Sequence, residues 1–364
     1  MWSYFIHDTL TGARRAPVTP SAGSFGTMIS DIGGGSHTFQ VRSSDMNAAD
    51  WKSLTYPWAN TLVQCWDGVP VYAGLLLGRT LNRNTGTLTV QHKELRLLLN
   101  RRFPFRVGGE RIIAGTLALR DKSLRGLIVE IVRSGVSKLN GDDGWNLPVA
   151  LPAPEGGNFD ATLYAYDFVT IENGIAEVEG RDGGPDVVFE PRLIEGRLDW
   201  LLRVGGPRLD GRTLTYPMNV PEPRLFDVQV TDDGSEMLTG VFAIGKGSEA
   251  DMRVGEAGFR GNPVARIPYL DSSRSFKEID DVRELESHGV GELAAHGQPT
   301  TQWEMKTRAD VAPGLAQLRL GSILRMRYQD DWWEPDGDID QYLIGISGGV
   351  TNTITLDVQP LRSL

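Results

Sequence analysis

Residues 61–75, TLVQCWDGVPVYAGL, continue at 86–91 with GTLTVQ, and this stretch decides the fold. Apolar and β-branched residues run from Thr61 to Cys65, a Trp66-Asp67-Gly68 turn follows, and Val71 to Leu75 resume the run. After a polar turn at Asn82 to Gly86, Thr87 to Gln91 alternate, the pattern of a third antiparallel strand. Residues 322–359 repeat the programme: SILRMR at 322–327, an acidic turn from Tyr328 to Asp340, YLIGI at 342–346, and TITLDVQ at 353–359. Each copy closes on a Leu-rich segment, Leu95 to Leu99 and Leu361 to Leu364. A duplicated module and two independent hairpins with Asn/Gly turns both fit this echo.

Outward from these ends, 364 residues exceed one hydrophobic core, so about two to four domains are expected. The 43 Gly and 20 Pro fit many strands joined by tight turns. Strands are expected at 3–8 and 37–43, with the Pro/Gly-rich stretch 17–35 between them a flexible hairpin tip or subunit-contact loop. Asn47 is positioned to cap a helix reaching Trp58, with Asp50 three residues on. Two amphipathic helices are expected over Lys122–Leu139, capped by Ser123, and Thr170–Glu179. Strands at 198–204 and 213–216 read as a hairpin around Gly205-Gly206. Leu225–Val230 and Leu238–Gly245 read as a pair around Asp232-Asp233-Gly234. A third helix is expected over Ser275–His296.

The chemistry-bearing residues are sparse. No run approaches the roughly 18 apolar residues of a membrane span, and Met1-Trp2-Ser3-Tyr4-Phe5 lacks a signal-peptide pattern, so no membrane anchor is expected. The single cysteine, Cys65, excludes an internal disulfide and reads as a small buried hydrophobe. The five histidines have no metal-pair spacing and read as surface or partly buried. No GxSxG elbow occurs, and nothing selects one carboxylate pair for hydrolysis, so catalytic and cofactor-binding residues are expected to be none. Gly33-Gly34-Gly35 is not followed by the Lys and Ser/Thr of a phosphate loop.

With 37 basic against 47 acidic residues, the net charge is −10. That argues against nucleic-acid binding, while suiting a surface past which DNA slides without sticking. Asp336, Asp338 and Asp340 alternate as calcium ligands do. Gln341 and Ser347 stand where an EF-hand loop requires Gly and Glu, which favours a solvated acidic hairpin tip. Beside them, Trp332 and Trp333 are adjacent large aromatics in a loop and are the interaction candidates, needing a surface to cover them.

The segment Trp58 to Gly74 with its W-D-G turn and P-V-Y-A-G, the Gly86-Thr87-Leu88-Thr89 strand, the Gly183-Gly184-Pro185-Asp186 break before Val187, and Thr301-Gln302-Trp303-Glu304 together resemble minor tail proteins of long-tailed phages. The likeness is strongest to those of actinobacterial hosts. Such proteins are similar to the baseplate hub of phage tails. The resemblance implies a mixed, β-rich α+β chain with two similar antiparallel β-barrel (tube-like) domains and interleaved α/β domains. On that plan 1–105 is the first barrel, 106–204 an outer α/β domain, and 205–250 strands contributing to the second barrel. Residues 251–300 complete the outer domain and 301–364 are the second barrel.

The same resemblance implies a homotrimer at the tail tip that adapts a sixfold tube to a threefold tip and lines the DNA-ejection channel. Its partners would be the tail tube or distal tail protein, the tape measure protein and other tip proteins, with DNA passing only transiently. It carries over no catalytic residue. Host-wall digestion is then expected from another protein, since the chain stops at its second β-unit. A distal tail protein ring and a tail-associated cell-wall hydrolase are the alternative readings.

Overall fold

The computed structural model describes residues 1–105, 114–137, 145–181, 183–258 and 267–361. The first part runs β1 (Trp2–Asp8), β2 (Arg14–Val18), β3 (Ala22–Met28), β4 (Gly34–Gln40), α1 (Ala48–Leu54), β5 (Asn60–Trp66), β6 (Val69–Asn82), β7 (Thr87–Lys93) and α2 (Arg96–Leu99). The middle holds β8 (Thr116–Lys122), α3 (Leu124–Val136), β9 (Val149–Ala150), β10 (Phe159–Tyr164), α4 (Ile171–Glu179), β11 (Val187–Ile194), β12 (Arg197–Val204) and β13 (Thr213–Pro217). Then come β14 (Leu225–Asp233), β15 (Gly240–Ile244), β16 (Val254–Gly258), β17 (Asp271–Ser275), α5 (Val282–His296), β18 (Thr300–Arg308), β19 (Ile323–Tyr328), β20 (Gly337–Gly349) and β21 (Thr353–Pro360).

The two echoing segments fold alike. In each, a short strand pairs antiparallel with a long one, which pairs with a third: β5–β6–β7 and β19–β20–β21. Both long strands carry an irregularity against their third strand, between Leu76 and Gly78 in one and Leu343 and Gly345 in the other. A bulge there bends the strand and increases its twist, so the two units curl in the same place. The Leu-rich close of the first unit is α2. Residues 362–364, where the second close falls, lie outside the described residues.

The expectation of separated β-units is corrected in one respect. Thirteen strands form a single sheet in the order β14-β18-β21-β20-β3-β4-β7-β6-β5-β1-β2, with β19 on β20 and β13 on β19. Among the described residues this ladder does not return on itself, so strand pairing closes no barrel. The bridge is the β3–β4 hairpin, built from the Pro/Gly-rich stretch expected to be a flexible tip. β3 pairs with β20 from Gly345↔Met28 to Gly349↔Ser24, and β4 pairs with β7. Low apolar content hid β3 and the start of β4, whose 37–40 part lies in the expected strand 37–43, yet their glycines are what close approach requires: a Cβ on Gly35 would lie 2.0 Å from the Ser24 carbonyl oxygen.

β5 is buried along its whole length, its polar Asn60, Thr61 and Gln64 included. Val63 and Cys65 face one core with Leu127, Ile128, Ile131, Ile171, Ile175, Phe189 and Trp200, so α3, α4, β11 and β12 cover that side. Leu62 faces the other core with Tyr4, Ile6, Phe39, Trp51, Leu54, Leu76 and Val90. The two expected caps form, the Asn47 side chain accepting from the Ala49 and Asp50 amides and Ser123 from Gly126, while Thr170, expected inside the second helix, caps it by accepting from Asn173.

Other local pairings differ from expectation because their partners are distant in sequence. β12 pairs with β11 through a Glu195-Gly196 turn in which both residues have positive φ, and β13 instead runs parallel to β19. Strand β14 pairs with β18, whereas β15 takes β16 and β17. The third helix starts at Val282, capped by Asp281, because Asp271 to Ser275 are held as a strand against β15. By compactness the chain divides into one unit of Met1–Val228 with Glu304–Leu364 and a second of Gln229–Trp303.

Candidate functional site

The loop between β19 and β20 spans residues 329–336 and holds the two tryptophans expected to need covering. Trp332 is 88% exposed and Trp333 72%, with ring centroids 5.6 Å apart. The loop is organised from beneath. Asp331 accepts the amides of Trp333 and Glu334, each at 2.9 Å, and these bonds hold its carboxyl below the ordinary range. Asn219 donates to Asp331 at 3.0 Å and accepts the Gln329 amide at 2.9 Å, while Asp336 accepts the Asp330 amide at 2.8 Å. A chain that spends this many hydrogen bonds on a loop fixes the direction in which two apolar rings meet water.

The three carboxylates considered for calcium do not act together. Asp338 receives two hydrogen bonds from Arg327, at 2.8 and 3.0 Å, and Asp340 two from Arg325, at 2.7 and 2.8 Å. These are directly opposite positions across β19 and β20. The guanidinium bonds hold both carboxyls below their ordinary range. Asp336 is engaged with the Asp330 amide instead. Among the described residues no three His, Cys, Asp or Glu side chains converge so as to hold a metal.

Two depressions are absent from the sequence reading. One, of about 290 Å³, lies over the first β-unit between α1 and the sheet, lined by Val41, Ala48, Trp51, Thr55, Leu81 and Leu88, with Lys52 and Arg79 also at its wall. Arg79 donates to the Lys52 carbonyl at 2.5 Å and to Thr55 Oγ1 at 2.8 Å, and among the described residues its charge has no carboxylate partner. The other, of about 560 Å³, is lined by residues from both ends of the chain, among them Val69, Val71, Leu315, Leu318 and Ile346. On its wall Glu190 pairs with Arg203 at 3.2 Å and Arg319 at 2.6 Å. Isolated residues such as Leu81 and Leu88 carry no signal of a groove, because only packing of α1 onto the sheet creates it.

The reading of the histidines as surface or partly buried is corrected for three of them. His7, His37 and His92 are fully buried. Tyr72 Oη lies 2.8 Å from His92 Nδ1, and His92 Nε2 lies 2.8 Å from His37 Nδ1. Glycines make the room: a Cβ on Gly23 would lie 2.2 Å from the His37 ring, and one on Gly74 would lie 2.4 Å from Tyr72 Oη. Burial lowers the pKa of His37 to about 4 and of His92 to about 3, the latter also through the neighbouring His37 and Lys93. Nearby Glu94 accepts from Thr27 Oγ1 at 2.6 Å and the Gly33 amide at 2.9 Å, yet enclosure of its carboxyl pushes it up to about 7. This cluster fastens β4, β6 and β7 together as a polar core. Alternation within each strand could not show that the rings meet.

No known protein-family model matches the chain, and no curated protein matches it by sequence. Solved structures do match, over its full length. A 43 kDa tail protein of prophage MuSo2 from Shewanella oneidensis aligns with a TM-score of 0.61 at 10% identity, covering 99% of this chain and 98% of that one. A tail protein from Neisseria meningitidis MC58 aligns with a TM-score of 0.56 at 10% identity, covering 99% and 97%. A type VI secretion component of E. coli, described as structurally similar to the T4 bacteriophage tail proteins gp27 and gp5, aligns at 0.51 and 8% identity, covering 99% and 77%. The chain shares its fold with these proteins from end to end.

Proposed function

We propose that this protein is a structural component of a phage tail tip, the baseplate hub, located in the virion. The observation that carries this reading is end-to-end correspondence: 99% of the chain aligns with 98% of the Shewanella prophage tail protein, leaving no large part over for a different task. In this reading three copies form a ring. Each contributes its β5–β7 and β19–β21 units, so that six similar modules face a sixfold tube and a threefold tip lies beyond. The shared position of the irregularity in β6 and β20 supports equivalent use of the two units. A net charge of −10 suits a channel wall past which DNA moves without being held. Tail tube or distal tail protein, tape measure protein and other tip proteins are the partners, and the role is structural, without catalysis.

The test is direct. Tails purified from virions are assayed for the chain by mass spectrometry, and the isolated protein is weighed by mass photometry. Presence in tails at three copies per tip, with a trimer in solution or in the assembled tip by cryo-EM, is expected. Absence from tails together with a strictly monomeric protein would sink the reading.

A further inference from the structure

We infer that the Trp332-Trp333 loop of one copy seats in the groove between α1 and the sheet of a second copy, making a head-to-tail contact between the second β-unit of one and the first β-unit of the next.

The two surfaces match in chemistry. Four carboxylates, on Asp330, Asp331, Glu334 and Asp336, flank the exposed tryptophans, and among the described residues none is paired with a cation. The groove is apolar within, from Val41, Trp51, Leu81 and Leu88, and Lys52 and Arg79 at its wall have no carboxylate partner among the described residues. At about 290 Å³ the depression has room for a single aromatic ring. One indole is such a ring. An acidic loop presenting indoles and a basic-rimmed apolar groove are complementary in both charge and polarity.

The occupant comes from another copy. Trp332 and Trp333 remain 88% and 72% exposed, so the chain's own groove does not take them. The loop belongs to the second β-unit, where the first has only the tight Trp66-Asp67-Gly68 turn, and the groove belongs to the first. Each copy therefore carries one of each partner, and the contact repeats from copy to copy. A repeating head-to-tail contact either closes into a ring or grows open-ended, and its closure here rests on the ring assembly proposed above. Tryptophan is among the residues enriched at the hot spots of protein interfaces.

Self-association of the full chain is measured by sedimentation and mass photometry over a range of concentration and salt. The variants are Trp332→Ala with Trp333→Ala for the loop, and Leu81→Glu with Lys52→Glu for the groove. All four positions are exposed, and thermal melts confirm that each variant folds. Each variant is expected to weaken self-association at least about 30-fold. Salt is expected to weaken it in the unaltered protein. An equimolar mixture of the two variants should return dimers and nothing larger, because one intact loop–groove contact survives between unlike copies. Unchanged assembly of the loop variant, no dimers in the mixture, or a wild type that never associates would each overturn the inference. The first two leave the tail-tip reading standing, since presence in purified tails decides that separately.

Discussion

Nδ1 of His37 and Nε2 of His92 lie 2.8 Å apart in the buried face of the first β-unit, so the two rings share one hydrogen bond and one proton. Both rings cannot be cationic without setting two donors against each other. The pair is therefore part of the core only while at least one ring is neutral.

Stability should consequently fall with acid. The folded-state values of His37 and His92, about 4 and about 3, lie below the ordinary histidine value, so the unfolded chain binds more protons between about pH 6.5 and pH 4. Stability is then lost as the pH drops through that window. Glu94 acts in the opposite sense. Raised to about 7, it contributes stability that is present below about pH 4.5 and lost as the pH rises through 7. Urea unfolding across pH 4 to 8 should show stability rising to a plateau near pH 7, and Glu94→Gln should steepen the rise between about pH 4.5 and 7.

A second expectation concerns Arg96, which is 3% exposed and donates to both Glu172 and Glu179 at 2.9–3.0 Å from Nε, Nη1 and Nη2. It ties α2 to α4. Removing the cation leaves two carboxylates enclosed without a partner, a loss of about 3–5 kcal/mol for a buried pair. Arg96→Ala should lower the unfolding free energy measured in urea by that amount, and a change below about 1 kcal/mol would show that water replaces the guanidinium.

Two glycines with similar backbone angles should respond differently. Gly12 has φ +67°, and a Cβ there would lie 2.1 Å from the Leu198 carbonyl oxygen, whereas Gly196 has φ +77° and open space around it. Gly196→Ala should cost only the left-handed backbone penalty, about 1–2 kcal/mol. Gly12→Ala adds a backbone clash at the joint where the Leu198 amide donates to Gly12 at 2.8 Å, and should melt at a clearly lower temperature.

Calcium should leave the protein unmoved. Arg327 and Arg325 already occupy Asp338 and Asp340, and among the described residues no three carboxylates converge to hold a metal. Melting temperatures with millimolar calcium and with chelator should coincide. A rise with calcium would mean that the loop rearranges to bring Asp336 together with the other two.

The sequence by itself determined the two echoing β-units, because β-branched runs, a two-residue turn and alternation are local properties that a strand imposes every second residue. It determined α1, α3 and α4, and the caps of the first two, because Asn47 and Ser123 act within their own first turn. The tryptophan loop was visible for a related reason: adjacent indoles among four carboxylates have no local structure to hide in. Only the tertiary structure decided that the Gly-rich stretch at 22–40 stitches the two units into one sheet, that β13 and β14 find partners far along the chain, and that His37 meets His92. Those depend on contacts between residues tens to hundreds of positions apart. A glycine chosen for close approach or a histidine chosen for a neighbouring ring looks, along the chain, like any other.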